Sequence, residues 1–527
     1  MGALRRRTRQ HNKRKLLEPI KQSAGRALPG EIRVLRDVFL FLPSSLNLPP
    51  PPPVRGALTE IRQVASRLQV IDMTEHRDNR GQETSMEKEK YWNPILETLP
   101  REKLVELQLK KFKNILKWAY ENSPFYNKLY KDAGLEPGDI KTLDDIRKVP
   151  KIEKSMMRSI QGKDPFPYGD ILSVPLKQVT EYRQTSGTTG QPVYQADTWQ
   201  DWDGGTEAYC YALYAQGYRD SDRLFVPFGY NIFIAFWAYH YAGEKLGCEV
   251  VPGGVLNTEA RILKMQELKA TGMGATPTYV LGMAETARKM GIEPPKDLFI
   301  RKITVAGEPG GSLPATRKRM EDAWGAKVYD QAGSTEIGHW GWECQYQSGL
   351  HVNEAFYLVE IEDVDTGELI TEPGRRGKMV VTNLHRMAQP CIRFDSKDII
   401  EWSPDECECG RTFRLIKGGV IGRADDITKV KGVLLAPASI EEVVRGIPEL
   451  SDEYEVVVTK KGDLDDITLK VELTPGQEGN IDVIKAKLVD QLRVKTNLGY
   501  NLEFHEYGTL PRYDVKARRF KDLRHKE

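Results

Sequence analysis

The chain has 527 residues, of which 40% are hydrophobic and 29% are charged. These proportions are typical of a globular protein, which excludes a collagen-like or wholly disordered chain, and the length predicts roughly three domains. Lys and Arg (77) nearly balance Asp and Glu (75), so the net charge of +2 gives no general attraction for nucleic acid or a membrane surface.

The six cysteines are Cys210, Cys248, Cys344, Cys391, Cys407 and Cys409. They are too sparse for a disulfide scaffold, and the last two lie too close together for an ordinary disulfide. We therefore expect a reducing compartment and a cytoplasmic location. No run of about 20 apolar residues predicts a transmembrane helix.

The first 85 residues differ from the rest of the chain. They contain a basic run, Arg5–Lys15, and five consecutive prolines, Pro49–Pro53. A basic run can contact nucleic acid or a membrane, but it is also typical of a solvated tail or of sequence upstream of the true start. We interpret residues 1–85 as a mostly disordered extension and expect a domain to begin at Met86.

From Arg101 onward the sequence alternates between helical and strand patterns. Apolar residues three and four apart predict a helix that ends at Ser123-Pro124. Further helices are predicted over Ala260–Lys269 and Ala315–Trp324, and strands over Leu224–Pro227, Glu249–Pro252, Ile303–Ala306 and Lys327–Tyr329. This alternation favours an α/β fold with a largely parallel sheet.

The pattern changes to β-hairpins after Phe356, and we place a domain boundary near Gly422. The later predicted elements are a turn at Asp365–Gly367, a strand at Lys378–Leu384, helices at Ser439–Arg445 and Ile481–Val494, a hairpin turn at Lys460–Asp463 and a strand near Leu502–His505. The sequence therefore predicts a large α/β domain with a hairpin region over residues 86–422 and a small α+β domain over residues 423–527.

The segment TSGTTGQP, Thr185–Pro192, has the composition of a phosphate-binding loop. Its hydroxyls and glycine amides can surround a polyphosphate without a cation in the loop. It does not match the Walker pattern, because Gln191 and Pro192 follow Gly190. Alone, such a loop is more often an ordinary turn, so its interpretation depends on other motifs.

Three further clusters support a nucleotide site. They are AGEP at Ala306–Pro309, AGSTE at Ala332–Glu336, and the group IRFDSKD, GRADD and VKG within Ile392–Gly432. The first two follow predicted strands, and ligands of open α/β sheets bind at the carboxyl ends of strands.

The order TSGTTG, AGEP, GSTE, IRF…D, GRADD and VKARR resembles the acyl-adenylate-forming (AMP-binding) superfamily, and within it the phenylacetate–CoA ligase family. The resemblance runs from about Met86 to the C-terminus. It implies that MgATP converts a carboxylic acid into an acyl-adenylate, and that coenzyme A then displaces AMP to form a thioester. It also implies that the small domain is a mobile lid on an adenylation domain.

The resemblance assigns the nucleotide and coenzyme A contacts. Ser186, Gly187, Thr188, Thr189 and Gly190 would hold the β- and γ-phosphates; Thr335, in one motif with Gly333 and Ser334, would contact the α-phosphate; and Glu336 would ligate Mg²⁺. Gly307, Glu308 and Pro309 would line the adenine, Asp398 would bind the ribose, and Arg423 would lie at the nucleotide's edge. Asp425 would be the hinge, and Lys431 and Gly432 would face the pantetheine tunnel.

The cation that the loop lacks would come from Lys516, within Arg512–Arg518. Its ammonium would bridge carboxylate and α-phosphate oxygens, because an anion attacks an anion and the repulsion needs an opposing charge. A lid can then withdraw this lysine so that the thiol approaches. The alternative is an ordinary basic tail.

Two positions depart from the family pattern. Gln191 replaces a lysine common in relatives, and Ala332 stands where many relatives carry an aromatic that stacks on adenine. Unless a nearby Trp or Tyr covers the adenine, we expect nucleotide affinity to fall by about 1 kcal/mol or more.

Cys344, His351, Cys407 and Cys409 are a candidate structural zinc site. Three thiolates and one imidazole complete a tetrahedral Zn²⁺ set and leave no open position for catalysis. The resemblance adds support, since some family members have a zinc at these positions, and a structural zinc can contribute ~10 kcal/mol to folding. The alternative is two unrelated buried thiols and a surface histidine.

The segment Pro227–Tyr241 is unusually aromatic. The resemblance implies that Tyr230 and Phe233 face the acyl substrate, while Trp340 and Trp342 are candidates for covering a flat ring. An apolar pocket of this kind suits an aryl or arylacetic acid.

Two alternatives to an acyl-CoA ligase remain open. One is an adenylyltransferase of the same fold that transfers AMP to a cofactor without forming a thioester; the other is a non-catalytic nucleotide-binding protein, which Gln191 and Ala332 motivate. The expected cofactors are ATP, Mg²⁺, coenzyme A and structural Zn²⁺. As partners we expect a small carboxylic acid, no nucleic acid and no membrane, and we leave a homodimer open.

Overall fold

The computed structural model describes residues 90–185, 191–424, 428–431, 433–461, 464–513 and 519–524. The predicted extension, residues 1–85, lies outside the described residues. Within the described ranges, no helix is both long and apolar enough to cross a lipid bilayer.

The α-helices begin mostly at a proline or at a side chain that accepts a hydrogen bond from the first turn. They are α1 (Pro94–Glu97), α2 (Arg101–Asn122), α3 (Pro124–Asp132), α4 (Lys154–Ile160), α5 (Trp199–Ala215), α6 (Ile234–Leu246), α7 (Thr258–Glu267), α8 (Pro277–Lys289), α9 (Pro294–Asp297), α10 (Pro314–Trp324), α11 (Pro437–Arg445) and α12 (Ile481–Thr496). Thr198 and Asp201, for example, form a reciprocal capping box at the start of α5.

The strands are β1 (Val179–Gln184), β2 (Tyr194–Thr198), β3 (Arg223–Val226), β4 (Glu249–Pro252), β5 (Gly272–Ala275), β6 (Lys302–Val305), β7 (Lys327–Ser334), β8 (Gly338–Trp342), β9 (Leu350–Val352), β10 (Tyr357–Glu362), β11 (Arg376–Asn383), β12 (Phe394–Glu401), β13 (Leu415–Ile416), β14 (Gly422–Arg423), β15 (Thr428–Val430), β16 (Val433–Leu435), β17 (Leu450–Lys461), β18 (Leu464–Leu473), β19 (Asn501–His505) and β20 (Phe520–Asp522).

The largest sheet confirms the predicted α/β fold. Its order is β13-β9-β8-β7-β6-β5-β3-β4. The half from β7 to β4 is parallel, and β8, β9 and β13 extend it with antiparallel strands. The carboxyl ends of β5, β6 and β7 therefore lie along one edge, where the predicted nucleotide motifs follow.

One strand is longer than the sequence predicts. Gly333 and Ser334 were expected after a strand, but they belong to β7 and pair with His339 and Gly338 of β8. Glycine and serine have little strand preference of their own, so it is the pairing with β8 that keeps this segment extended. Only Thr335–Ile337 form the turn.

Smaller sheets surround this one. A β1–β2 hairpin frames the predicted phosphate loop, and β10-β11-β12-β14 form an antiparallel sheet. The predicted lid contains the sheet β19-β18-β17-β20 and a hydrophobic core of its own that runs from Val430 to Leu498. The sequence did not predict β20, because three residues in a Lys- and Arg-rich tail show no alternating pattern.

Arg319 on α10 joins the lid to the large domain. Its Nη1 lies 2.8 Å from Asp452 Oδ1. Its guanidinium also donates to the carbonyls of Arg445, Ile447 and Leu450 at 2.6–3.0 Å. One side chain thus fixes several backbone groups of the lid.

Candidate active site

The turn between β7 and β8 carries the predicted magnesium ligand. Thr335 is 8% exposed and Glu336 is 4% exposed. Lys154, on α4, places its Nζ 2.7 Å from Glu336 Oε1, and Arg386 Nη1 donates to the Glu336 carbonyl at 2.8 Å. The turn is therefore held from two sides. Neither cation belongs to a sequence motif, so no local signal pointed to them.

The predicted phosphate loop is closed at its base. Ser186, Gly187, Thr188, Thr189 and Gly190 lie outside the described residues. Beside them, Thr185 N donates to Val193 O at 3.0 Å, and Val193 N donates to Thr185 Oγ1 at 2.9 Å. Gln191 is exposed, and its carbonyl accepts from Arg158 Nε at 2.9 Å. Helix α4 therefore brings a cation to the loop as well as to Glu336.

The predicted adenine motif caps a neighbouring helix. Gly307 has φ +93°, a conformation that favours glycine. Glu308 Oε1 accepts from Thr278 N at 2.7 Å, so this carboxylate lies at the N-terminus of α8. Pro309, the third residue of the motif, is exposed.

The two tryptophans predicted to cover a flat ring lie in hydrophobic cores instead. Trp340 is 1% exposed and Trp342 is fully buried, and both belong to hydrophobic cores. The interpretation of these tryptophans as covers for a flat ring is therefore wrong, because close packing against the core leaves no free face. Ala332 also packs against the core.

The predicted ribose carboxylate and the predicted nucleotide-edge arginine are cross-strand neighbours. Asp398 on β12 pairs with Arg423 on β14. Arg423 Nη1 lies 3.4 Å from Asp398 Oδ1 and donates to Ser396 O at 3.1 Å. The β12–β14 pairing thus brings together two residues that the motifs named separately.

The lid approaches the adenine motif through a residue that the sequence did not single out. Asp425, Gly432 and Lys516 lie outside the described residues. Arg519, three residues after Lys516, is 7% exposed; its Nη1 donates to Thr278 Oγ1 at 3.2 Å and its Nη2 to Glu453 Oε2 at 2.7 Å. The lid segment that follows Lys516 therefore touches the residue that binds Glu308.

The other described lid residue of the prediction is Lys431. It has φ +49°, and its N–H donates to Asp465 Oδ2 at 3.0 Å. It lies in the turn between β15 and β16, on an exposed part of the lid.

The two predicted substrate residues precede α6. Tyr230 Oη lies 2.7 Å from His240 Nδ1, and its ring meets Trp237 edge to face with the centroids 4.9 Å apart. Burial raises the pKa of Tyr230, so its hydroxyl stays protonated at neutral pH. Phe233 is 37% exposed. Tyr230 therefore offers its ring rather than a free hydroxyl, and Phe233 is accessible.

The four predicted zinc ligands come together in the interior. Cys344, His351, Cys407 and Cys409 are all buried, and their ligand atoms all lie within 4.8 Å of one another. Cys344 Sγ is 3.5 Å from Cys407 Sγ, and Cys409 Sγ is 3.4 Å from His351 Nε2. A zinc tetrahedron with Zn–S bonds near 2.3 Å has edges of about 3.8 Å, so the donor set fits this metal.

Comparisons with known proteins identify relatives of this chain. A family described as AMP-binding enzyme C-terminal domain matches residues 432–524. The phenylacetate-coenzyme A ligase of Thermus thermophilus is 33% identical over 453 residues, which cover 82% of this chain and 99% of that protein. The phenylacetate-coenzyme A ligase of Aromatoleum evansii is 33% identical over 442 residues, which cover 82% of this chain and 97% of that protein.

Solved structures also resemble the chain. 2-Hydroxyisobutyryl-CoA ligase in the postadenylation state gives a TM-score of 0.78 at 25% identity, covering 86% of this chain and 94% of that chain. The same ligase in the thioesterification state gives a TM-score of 0.63 at 26% identity, covering 86% of this chain and 96% of that chain. The chain therefore superposes better on the postadenylation arrangement.

Proposed function

The chain belongs to the phenylacetate-coenzyme A ligase family and is an AMP-forming acyl-CoA ligase, and from this premise we propose that its substrate is an aromatic carboxylic acid. The acid would be activated as an acyl-adenylate and transferred to coenzyme A. The family identity, the accessible Phe233 and the Tyr230 ring packed against Trp237 support an aryl or arylacetic acid.

The observation that carries the residue assignments is the contact of the lid with the adenine motif. Arg519 donates to Thr278, and the amide of Thr278 donates to Glu308. Since Lys516 precedes Arg519 by three residues, this contact supports a lysine delivered to the nucleotide by the lid. Glu336 would then bind Mg²⁺, and Asp398 would bind the ribose.

In the first step, a carboxylate oxygen of the acid attacks the α-phosphorus of ATP. An acyl–phosphate bond forms, the bond from the α-phosphorus to the bridging oxygen breaks, and pyrophosphate leaves. Thr335 and the phosphate loop would orient the phosphates, while Lys516 would offset the charge that builds at phosphorus. Mg²⁺ bound at Glu336 would supply further charge compensation.

In the second step, the thiolate of coenzyme A attacks the acyl carbon and AMP leaves. Movement of the lid about Asp425 would withdraw Lys516 and turn Lys431 and Gly432 toward the pantetheine. The domain limits 86–422 and 423–527 belong to this proposal, and the C-terminal family match at 432–524 lies inside the second range.

The cysteine and histidine cluster would hold a structural zinc ion. Three sulfur ligands and one nitrogen ligand are the donor set of closed zinc sites, and all four residues are buried. The ion would join the segment after β8 to the segment before β13. All six cysteines are buried free thiols, which supports a reducing, cytoplasmic location.

The test is an acid panel of phenylacetates, benzoates and short aliphatic acids. Purified protein with MgATP and coenzyme A is expected to release pyrophosphate and form acyl-CoA with aromatic acids, with Lys516→Ala as the inactive control. Release of AMP without any acyl-CoA would contradict the proposal in favour of an adenylyltransferase. Equal inertness of wild type and variant on all acids would contradict enzymatic activity altogether.

A further inference from the structure

A small enclosed cavity lies directly behind the Thr335–Glu336 turn. Its polar walls are Asp197 on β2, Trp202 on α5, His339 on β8, and the adjacent residues His385 and Arg386. Arg386 also donates to the Glu336 carbonyl, which places the cavity next to the predicted reaction centre. Its free volume is roughly that of one water molecule, so it admits a small polar group and not a ring.

Several polar atoms around this cavity have no hydrogen-bond partner among the described residues. They are Trp202 Nε1, His339 Nε2, His385 Nδ1 and both carboxylate oxygens of Asp197. Asp197 Oδ1 lies 2.8 Å from Arg386 Nε as an ion pair, but this contact leaves both oxygens without a well-directed hydrogen bond. Unpaired buried polar atoms are destabilising and uncommon, so this many around one cavity indicate a missing partner.

Among the other polar wall residues, Asp201 is already paired. Asp201 accepts from the amides of Met387 at 2.6 Å and Ala388 at 3.1 Å. Gln331 Nε2 lies 3.2 Å from His339 Nδ1, so Nε2 is the ring nitrogen of His339 that has no partner among the described residues. The cavity therefore presents a donor from Trp202, acceptors from Asp197, and one unpaired ring nitrogen each from His339 and His385.

The helix beside the cavity is shaped to seat His385. A Cβ at Gly204 would come within 3.2 Å of the His385 ring, and one at Gly205 within 3.7 Å. Glycine within a helix is less favourable than alanine, so this space has a stability cost. Burial lowers the pKa of His339 and of His385 to about 3, so both rings are neutral.

The cavity also adjoins the predicted acyl site. Its apolar wall includes Ile234 and Ala238 of α6, and Ile234 directly follows Phe233. We propose that this cavity binds a hydroxyl group carried by the acyl substrate. The substrate class is then a hydroxylated aromatic acid, and this inference rests on the proposed function. A hydroxyl suits the walls because it both donates and accepts.

The test compares matched acids with the wild-type protein. Phenylacetic and benzoic acids are each used unsubstituted and with a hydroxyl, methyl or chloro group at the ortho, meta or para position. We expect kcat/KM for acyl-CoA formation to be about 100-fold higher for one hydroxyl isomer than for its methyl counterpart, because unpaired groups in the site reject the analogue. A hydroxyl isomer no better than its methyl counterpart at every position overturns the inference.

Variants locate the effect. His339→Leu and Asp197→Asn are expected to reduce the hydroxyl-to-methyl ratio to less than about 10-fold. Thr304→Val removes a buried hydroxyl that donates to Gln216 at 2.6 Å outside the cavity, and is expected to keep the ratio. A ratio unchanged in both cavity variants contradicts the assignment to this cavity. If neither folds, the wild-type ratios alone decide whether the hydroxyl is recognised.

The two proposals fail in different ways. Acyl-CoA formed equally well from unsubstituted, methylated and hydroxylated acids would leave the ligase proposal standing and remove only the hydroxyl site. No acyl-CoA from any acid would remove both.

Discussion

Glu336 is the residue whose surroundings test the magnesium assignment most directly. It is buried, paired with Lys154, and fixed by Arg386 through its carbonyl. We expect Glu336→Gln to lower the rate of pyrophosphate release about 100-fold and to raise the Mg²⁺ concentration needed for half-maximal rate, because a neutral amide is a poorer ligand for this cation.

The matched control for Glu336 is Glu360→Gln. Glu360 is also a carboxylate paired with a cation, Arg393 at 2.9 Å, and is mostly buried, but it lies outside the candidate site. Its variant is expected to lose stability without a change in Mg²⁺ dependence. The same Mg²⁺ dependence in both variants would argue against the assignment of Glu336.

The buried cluster of three cysteines and one histidine gives a second prediction for single residues. Purified wild type is expected to contain about one equivalent of zinc, and Cys409→Ser to lose most of it and to unfold at lower temperature. Cys248→Ser is the control, since Cys248 is buried and its thiol donates to the Arg219 carbonyl, away from the cluster. Less than half an equivalent of zinc in the wild type would contradict the site.

At this scale the sequence revealed motif residues but not their partners. Asp398, Arg423 and Glu308 were predicted from motifs, and the structure pairs the first two. Lys154, Arg386 and Arg519 were missed because their partners lie far away in the chain and no local pattern announces a long-range contact.

The elements that enclose His339 and His385 determine how these two buried histidines change the protein's stability with pH. Burial between β8 and the neighbouring elements lowers the pKa of His339 to about 3, and that of His385 likewise. The unfolded chain protonates these rings near pH 6.5 but the folded chain only near pH 3. Their contribution to stability is therefore complete above about pH 6.5 and is lost as pH falls toward 3.

This gives a prediction for unfolding by urea. Between pH 7.5 and pH 5.5 the wild type is expected to lose about 1 kcal/mol more in free energy of unfolding than His339→Gln. The wild type is compared with His339→Gln because Asp197 also titrates in this range. Burial raises the pKa of Asp197 to about 6, and its protonation changes the free energy of unfolding in the opposite direction over part of the range. Identical losses in the two proteins would show that His339 is protonated in the fold.

Several elements could be predicted from periodicity, some of them with their bounds. The strand β4 was predicted with its observed bounds, Glu249–Pro252, and α10 within one residue. In β7 the prediction stopped before Gly333, because the extension of that strand depends on pairing with β8 rather than on its own residues.

For the whole molecule, Arg319 connects the lid to the large domain. Its contacts with Asp452 and three lid carbonyls belong to the described arrangement, which superposes best on a postadenylation state among the forms of that ligase compared. Breaking them should disfavour this arrangement. We expect Arg319→Met to slow pyrophosphate release about 10-fold and to change thioester formation less, as measured by single turnover of each step.

The adjacent lysine provides the control. Lys318 is exposed and pairs with Asp322 at 2.8 Å within α10, away from the lid. Lys318→Met is expected to leave both steps unchanged. Equal slowing of both steps in Arg319→Met would indicate a general loss of stability rather than a shift of the lid.

The antiparallel strands that follow Glu336 connect it to the cluster of three cysteines and one histidine. Strand β8 ends at Trp342, two residues before Cys344, and β9 contains His351. Prolonged treatment with a strong chelator should therefore inactivate the ligase gradually, even when magnesium is restored in excess, because strands β8 and β9 at the edge of the large sheet become less stable. Such time-dependent inhibition could be misread as proof of a catalytic transition metal. Its hallmark would be a matching rise in protease sensitivity around residues 343–351.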